Sequence, residues 1–227
     1  MRELVLDTET TGLDPNQGDR IVEIGAVELH NQVPTGRTYH QYINPERDMP
    51  EGAFAVHGLS EQFLSDKPVF ASIAQEFLDF VGSDPMVIHN ASFDMRFLNA
   101  ELGKAGHPLL PMSQAIDTLD IARKRFPGAQ NSLDALCRRF GVDNSSREKH
   151  GALLDSEILA EVYLELVGGR QPDFTLSVVS GGNDGQGNQN WAPKSRPNPL
   201  PSLITSEESE AHAAFVEKLG DSTLWKL

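Results

Sequence analysis

Cysteine is almost absent from this chain of 227 residues, since Cys137 is the one cysteine. A single thiol cannot form a disulfide within the chain, so a hydrophobic core must stabilise the fold, and a reducing cytosol is the expected compartment. Long apolar runs are also missing, and no stretch approaches the roughly 20 residues that a membrane-spanning helix needs. Met1 is followed almost at once by a strand-like apolar run, so no signal peptide is expected.

Positive charge is scarce as well. The chain has 19 Lys and Arg residues against 33 Asp and Glu residues, a net charge of −14. Residues 1–172 carry 26 acidic and 15 basic side chains (26 − 15 = 11 negative), and the rest of the chain carries 7 and 4 (7 − 4 = 3 negative). Tight binding to phosphates without sequence preference needs a basic surface. Either nucleic acid is not the ligand, or a partner delivers it.

Residues 1–170 have the pattern of an α/β domain. β-Branched and apolar segments predict strands at Leu4–Thr8, Arg20–Leu29, Arg37–Ile43 and Met86–His89. Apolar residues at helical spacing predict helices at Val69–Val81, Phe93–Leu102, Ile116–Phe126, Ser132–Phe140 and Ala152–Val167. Strands followed by strand–helix alternation indicate helices packed on a mixed sheet.

The composition changes after residue 176. Of the 26 residues in 177–202, 18 are Gly, Ser, Pro, Asn or Gln, which predicts a flexible linker. In the final segment, 203–227, Thr205–Glu208 forms a capping box, and an apolar stripe follows at Ala211, Ala214, Phe215 and Leu219. An amphipathic helix on a tether, ending near Leu224 and Trp225, predicts a segment that docks on a partner. The alternative is a disordered tail with a few apolar residues.

The strongest local motif follows the first predicted strand. Asp7 and Glu9 are two positions apart, so they project from the same face of the strand. Two carboxylates held this close repel each other unless a cation lies between them. Oxygen ligands of this kind favour Mg²⁺ or Mn²⁺. The alternative is an exposed strand end before a polar turn.

Two further acidic motifs lie at predicted helix starts. Asp94 falls in the first turn of a helix that follows the strand Met86–His89, within the pattern N-x-x-F-D. Asp155 falls in the first turn of the last long helix, and His150 precedes it in a loop. Each motif by itself is also explained by an aspartate that stabilises a helix N-terminus.

Taken together, these three motifs resemble those of the DEDDh exonucleases, and the resemblance extends over residues 1–170. It implies the ribonuclease H-like exonuclease fold, in which helices flank a mixed five-stranded sheet. Within that family the chain is similar to the proofreading epsilon subunits of bacterial DNA polymerase III. The similarity is carried by Asn131–Cys137, by His150–Tyr163, and by Glu210–Ala214 with Leu224 and Trp225.

The resemblance implies a role for each motif residue. Asp7, Glu9, Asp94 and Asp155 correspond to the ligands of two divalent cations, Mg²⁺ or Mn²⁺, and His150 to the general base. The implied reaction removes mismatched nucleotides from the 3′ end of DNA as 5′-mononucleotides. A histidine suits this role because its ordinary pKa of about 6.5 lets it accept a proton near neutral pH.

The resemblance also implies contacts to the terminal nucleotide. Asp7, Glu9 and Asp155 would contact it, together with His57 and Gly52 in the loop 51–58. Leu13 and Phe93 are candidate stacking surfaces for the last bases, although Phe93 could equally belong to the core. The remaining histidines, among them His89, are interpreted as ordinary polar residues.

The implied partners are the single-stranded 3′ end of DNA and the polymerase (alpha) subunit of DNA polymerase III, with no membrane contact. Phe215, Leu219, Leu224 and Trp225 are the candidate residues for docking on the polymerase. Residues 171–176 resemble peptides that bind the bacterial sliding clamp, with Gln171, Phe174 and Leu176 as the anchors; alternatively this segment is the start of the linker. A stand-alone nuclease that trims RNA or short oligonucleotides, and a non-enzymatic adaptor with this fold, are the alternative functions.

Overall fold

A computed structural model describes residues 1–145, 149–168 and 204–218. The chain divides into two compact units, Met1–Leu176 and Ser177–Leu227. No helix among the described residues is both long enough and apolar enough to cross a bilayer. The first unit carries the sheet and the three acidic motifs, and the second is described through one helix.

Five strands of the first unit form one mixed sheet: β1 (Arg2–Thr10), β2 (Ile21–His30), β3 (Val33–Tyr42), β4 (Met86–Ile88) and β5 (Ala115–Asp117). Their order across the sheet is β3-β2-β1-β4-β5. β2 is antiparallel to β1 and to β3, whereas β4 and β5 continue the sheet in parallel with β1. The predicted mixed five-stranded sheet is confirmed.

Seven helices of the first unit flank this sheet within the described ranges: α1 (Glu51–His57), α2 (Glu61–Leu64), α3 (Phe70–Val81), α4 (Ala91–Lys104), α5 (Thr118–Arg125), α6 (Leu133–Phe140) and α7 (Ala152–Leu166). Short 3-10 turns lie at Pro15–Gln17 and Met112–Gln114. In the second unit, α8 spans Ser206–Lys218.

Alternation along β1 separates two apolar layers. Leu4 and Leu6 lie in the larger buried cluster, which also contains the apolar residues of α3 and α4. Val5 points to the other face and packs with Leu159 and Tyr163 of α7. Because side chains alternate along a strand, Asp7 and Glu9 share the face of Val5, which is the face that α7 covers.

At Gly25 of β2, the backbone of α7 approaches the sheet closely. A Cβ atom at this position would lie 2.2 Å from the backbone nitrogen of Leu153, so only glycine lets the first turn of α7 approach the strand. The buried hydroxyl of Ser156 donates to the carbonyl of Gly25 at 2.9 Å. Gly25 is also the direct partner of Asp7 in the β1–β2 ladder. The first turn of α7 is therefore held beside Asp7.

Two local predictions are wrong. The predicted helix Ile116–Phe126 begins instead as a strand, because Ile116 pairs with Val87 and the Asp117 side chain accepts hydrogen bonds from Leu119 N and Asp120 N as the N-cap of α5. The segment 51–58, predicted as a loop, contains helix α1. Pro50 precedes the first turn of that helix, and Gly58, with a positive φ of 74°, ends it.

In the tail, the predicted capping box is present. Thr205 Oγ1 accepts from Glu208 N at 3.2 Å, and Glu208 Oε2 accepts from Thr205 N at 2.9 Å. The linker prediction for 177–202, the candidate clamp residues Gln171, Phe174 and Leu176, and the candidate docking residues Leu219, Leu224 and Trp225 lie outside the described residues.

We predict that Gly25→Ala destabilises the fold by about 1–3 kcal/mol, since the added methyl group must displace the backbone of α7. Gly103→Ala is the matched control, because its Cβ would meet only the Leu109 side chain at an ordinary 3.7 Å inside helix α4. Urea unfolding of both variants measures the difference. Equal stabilities would contradict the tight contact between α7 and β2.

Candidate active site

The carboxylates of β1 stand at the end of the β1–β2 ladder. Glu9 pairs with Glu23 in regular register, and the register shifts immediately after it, between Glu9 and Thr10. Such bulges bend a strand and redirect its side chains, and they are common beside functional sites. Asp7 is half-buried and Glu9 is buried, so both carboxylates lie partly out of water.

The first turn of α7 brings a third carboxylate to this position. Asp155 is buried, and its Oδ2 lies 3.2 Å from Nδ1 of His150, whose side chain is 46% exposed. Glu9, His150 and Asp155 each present one possible ligand atom, and these atoms lie within 4.8 Å of one another. The backbone N–H of His150 donates to the carbonyl of Val56, so the loop carrying this histidine is attached to α1.

Asp94 comes from α4 on the other side of β1. It is buried, and the hydroxyl of Thr8 donates to its Oδ1 at 2.7 Å. Burial raises the pKa of Asp94 to about 7, the hydrogen bond from Thr8 opposes this rise, and the negative charge of Asp117 adds to it. In the absence of a cation, ionisation of Asp94 is therefore costly near neutral pH.

Asp117 holds the N-termini of two helices at once. Its Oδ1 accepts from Leu119 N at 2.9 Å and caps α5, while its Oδ2 accepts from Ala91 N at 3.1 Å in the first turn of α4. Asn90, which precedes α4, has a positive φ of 67°. This double cap fixes the start of α4, and with it the position of Asp94.

All five predicted catalytic residues border one cavity of about 760 Å³. Its lining consists of Asp7, Thr8, Glu9, His89, Asn90, Phe93, Asp94, Leu119, Arg123, Gly128, Ala129, Asn131, Ser132, Leu133, Asp134, His150 and Asp155. A volume of this size is in the range of ligand sites, which is roughly 300–1,000 Å³.

The residues of the cavity fit a divalent metal ion. Carboxylate oxygens dominate the possible ligand atoms, and hard cations such as Mg²⁺ and Mn²⁺ prefer oxygen. Asp94, Asp155 and Glu9 are all buried, and buried like charges close together need a compensating positive charge.

Comparison with known proteins agrees with this geometry. Residues 4–163 match the model of the RNase_T exonuclease family. The DNA polymerase III subunit epsilon of Rickettsia felis is 51% identical over 222 residues, which cover 96% of this chain and 97% of that protein. The same subunit of Escherichia coli K12 is 42% identical over 236 residues, covering 99% and 97%. The chain belongs to the exonuclease family of DNA polymerase III epsilon subunits.

A solved structure extends the similarity to three dimensions. Exonuclease X in complex with 5′ overhanging duplex DNA is 29% identical to this epsilon-family chain, with a TM-score of 0.59. The match covers 73% of this chain and 90% of that one. The exonuclease fold predicted from the three motifs is confirmed.

Two residues expected near the terminal nucleotide lie outside the cavity lining of this epsilon-family chain. His57 is 5% exposed, and its Nδ1 accepts from Leu59 N at 3.0 Å, which leaves the ring proton on Nε2. Burial lowers the pKa of His57, and the charges of Lys149 and His150 act in the same direction. Gly52 is exposed in α1, with open space where a Cβ would lie. Their roles remain predictions.

Several residues that border the cavity are not expected from the sequence. His89, an ordinary polar residue by its sequence, lines the cavity with its Nδ1 3.0 Å from Thr118 Oγ1. Arg123 also lines the cavity. Position could have pointed to His89, which directly follows β4 and precedes Asp94, whereas no sequence pattern distinguishes Arg123 from the other exposed arginine of α5. Of the two candidate stacking residues, Phe93 lines the cavity and Leu13 is 77% exposed outside it.

We predict that Asp94 makes a contribution to the free energy of unfolding of the metal-free protein that falls as the pH rises from about 4 to about 7. The pKa of Asp94 is raised from 3.8 to about 7, so the folded chain holds this proton more tightly than the unfolded chain over that range. Asp94→Asn removes the ionisation but keeps an oxygen for Thr8. At pH 8 in a chelator, this variant should therefore be more stable than the original chain by a few kcal/mol.

Urea unfolding in EDTA at pH 5 and pH 8 tests this prediction. Asp79→Asn, on the exposed face of α3, is the control and should retain the pH dependence of the original chain. The same pH dependence in Asp94→Asn would show that Asp94 is not the group responsible.

Proposed function

We propose that this chain is the 3′→5′ proofreading exonuclease of a bacterial replicative DNA polymerase, acting on the single-stranded 3′ end of DNA in the cytoplasm. One observation carries the proposal: Asp7, Glu9, Asp94, Asp155 and His150, which are far apart in sequence, border one cavity. The exonuclease family and the named relatives support the reaction class. The name of these relatives, a subunit of DNA polymerase III, supports a role in replication.

In the proposed site, Asp7, Glu9, Asp94 and Asp155 hold two divalent cations, Mg²⁺ or Mn²⁺. When bound, such cations supply Lewis-acid chemistry that activates water and stabilises the leaving oxygen of a phosphodiester. The charges of four carboxylates and two divalent cations balance. The partial burial of the carboxylates strengthens this attraction, because a low dielectric screens charges less than water does.

His150 is proposed to accept the proton of the attacking water. Its Nδ1 faces Asp155 Oδ2, an arrangement that orients the ring and leaves Nε2 as the atom that receives the proton. The water oxygen bonds to the terminal phosphorus, and the bond from phosphorus to the 3′ oxygen of the preceding nucleotide breaks. That oxygen keeps the electron pair and takes up a proton, and a 5′-mononucleotide is released.

Terminal-nucleotide contacts are proposed for Asp7, Glu9 and Asp155 within the cavity, with His57 and Gly52 beside it. The backbone bond from His150 to Val56 attaches the loop of the general base to α1, which contains both Gly52 and His57. Binding of a nucleotide against α1 would therefore also position His150. This arrangement supports a link between substrate binding and placement of the base.

The net charge of −14 supports a tethered enzyme rather than one that captures DNA by itself. A polymerase that carries the primer end supplies a high local concentration of substrate, and tight independent binding then becomes unnecessary. We propose that the C-terminal segment docks on the polymerase (alpha) subunit through Phe215, Leu219, Leu224 and Trp225, and that 171–176 binds the sliding clamp. Exposure of Phe215 to 60% on α8 supports the first of these contacts.

We predict Mg²⁺-dependent release of mononucleotides from a primer–template with a 3′ mismatch, and faster release when the cognate polymerase is present. Asp7→Ala with Glu9→Ala should reduce the rate on the order of 10³-fold or more, because the metal ligands of β1 are lost. Glu76→Ala with Asp79→Ala, on the exposed face of α3, removes two carboxylates elsewhere and should retain the rate.

Chromatographic measurement of released nucleotides discriminates the alternatives. Preference for RNA, with no effect of the polymerase, would favour a stand-alone trimming nuclease. No Mg²⁺-dependent release from any substrate would identify a non-enzymatic adaptor. Undiminished hydrolysis by the Asp7 and Glu9 double variant would refute the metal site.

We also predict that Phe215→Glu weakens binding to the polymerase subunit at least tenfold while hydrolysis of free single-stranded DNA is retained. The substitution places a charge in the apolar stripe of α8. Ser209→Glu adds the same charge to the same helix at a position off the stripe and should bind normally. Surface plasmon resonance on immobilised polymerase gives both dissociation constants, and equal values for the two variants would argue against docking through this stripe.

A further inference from the structure

The cavity extends well beyond the carboxylates. Part of its lining comes from β1, α4 and the start of α7, which carry the proposed metal ligands. Most of the rest comes from α5, from α6 and from the segment between these helices: Leu119, Arg123, Gly128, Ala129, Asn131, Ser132, Leu133 and Asp134. We call these eight residues the second wall. It has no part in the proposed chemistry, yet it borders the same space.

The second wall is held in place by its own side chains. Asn131 is 8% exposed, and its Nδ2 donates to the carbonyl of Ala129 at 3.1 Å, while its Oδ1 accepts from Arg139 at 3.2 Å. The Arg139 guanidinium also lies over the ring of Phe126, 4.3 Å from its centroid. Ser132 caps α6 by accepting from Ala135 N. The wall is thus a formed surface before any ligand binds.

Arg123 supplies the one guanidinium group among the described residues that line the cavity. Its side chain is 65% exposed, and it approaches Asp120 of the same helix at 3.8 Å. Exposed ion pairs of this kind contribute little to stability and are readily exchanged. Arg123 and His89 line the same cavity, so the guanidinium lies on the wall that faces the proposed metal ligands.

The charges around the cavity leave one phosphate of a bound DNA strand without a positive partner. Five carboxylates line it, and the four proposed metal ligands among them would be balanced by the cations at the scissile phosphate. The fifth, Asp134, lies in the second wall, where its Oδ1 accepts from Asn144 Nδ2 at 3.2 Å. A DNA strand also carries a negative charge on the phosphodiester adjacent to the scissile one, and the two cations would not neutralise this second charge. A guanidinium binds phosphate oxygens through two parallel hydrogen bonds.

We propose that Arg123 binds the phosphodiester next to the scissile one, so that the second wall is a subsite for the penultimate nucleotide. This inference rests on the proposed exonuclease function and names the part of the substrate that the second wall selects. The small residues Gly128 and Ala129 leave room for a sugar and base beside the guanidinium. The enzyme would then hydrolyse a DNA strand more efficiently than an ester of a single nucleotide, although both contain a scissile phosphodiester.

A pair of substrates tests the proposal. The p-nitrophenyl ester of thymidine 5′-monophosphate has a scissile phosphodiester but no neighbouring one, whereas a single-stranded oligothymidylate has both. Arg123→Gln should lower the ratio of kcat/KM for the oligonucleotide to kcat/KM for the ester about tenfold or more, the size expected for a lost charged hydrogen bond. Lys124→Gln removes the same charge from the neighbouring exposed position and should keep the ratio within about twofold.

Methylphosphonate substitution identifies which phosphate is bound. For the original enzyme, a neutral methylphosphonate in place of the phosphodiester next to the scissile one should lower kcat/KM about tenfold. In Arg123→Gln the same change should have little further effect, because the contact is already lost and the two losses are not additive. Arg123→Lys, which keeps the charge but not the planar fork, should lie between Arg123→Gln and the original chain.

The proposal is overturned if Arg123→Gln and Arg123→Lys both keep the substrate ratio of the original chain, or if the methylphosphonate effect persists in Arg123→Gln. Equal losses on both substrates would assign Arg123 to the scissile phosphate or to folding, and they too would overturn it. If the original chain hydrolyses neither substrate in Mg²⁺, the exonuclease function itself fails. That outcome is distinguishable because it requires no variant.

Discussion

Mutual repulsion among buried carboxylates is the constraint on which this structure depends. Asp94, Asp155 and Glu9 are buried around a single cavity, with Asp7 beside them. Burial, together with the negative charge of Asp117, raises the pKa of Asp94 to about 7 against the hydrogen bond from Thr8. Such a cluster is stable only because rigid contacts elsewhere keep each carboxylate in place. Gly25 lets α7 approach β2, and Asp117 caps α4 and α5 together. In the proposed site, the same repulsion that opposes folding would favour the binding of divalent cations.

The parts of the fold that local patterns determine could be predicted from the sequence. Strand alternation places Asp7 and Glu9 on one face, and helical periodicity locates α3, α6 and α7 to within a residue or so. β5 was missed because three residues, Ala115–Asp117, are too few to show a period, and their pairing with β4 is a contact distant in sequence. Helix α1 was missed because seven residues bordered by proline and glycine have the composition of a loop.

The candidate site could be predicted only in part, for a related reason. Acidic motifs at strand ends and helix starts pointed to Asp7, Glu9, Asp94 and Asp155, and the family resemblance joined them to His150. Sequence patterns contain no signal for residues whose importance comes from tertiary position alone. Asp117 resembles any N-cap, and its second set of hydrogen bonds to α4 is visible only in three dimensions. Arg123 resembles any exposed arginine until the cavity is seen.

The proposed chemistry depends on four carboxylates from three separate segments forming a single site for divalent cations. Titration of the purified chain with Mn²⁺, followed by electron paramagnetic resonance of the free ion, tests this site without reference to any substrate. We expect two Mn²⁺ ions bound per chain and the loss of this binding when Asp7, Glu9, Asp94 and Asp155 are all replaced by asparagine or glutamine. Undiminished Mn²⁺ binding by that replaced chain, or no binding by the original one, would contradict this expectation.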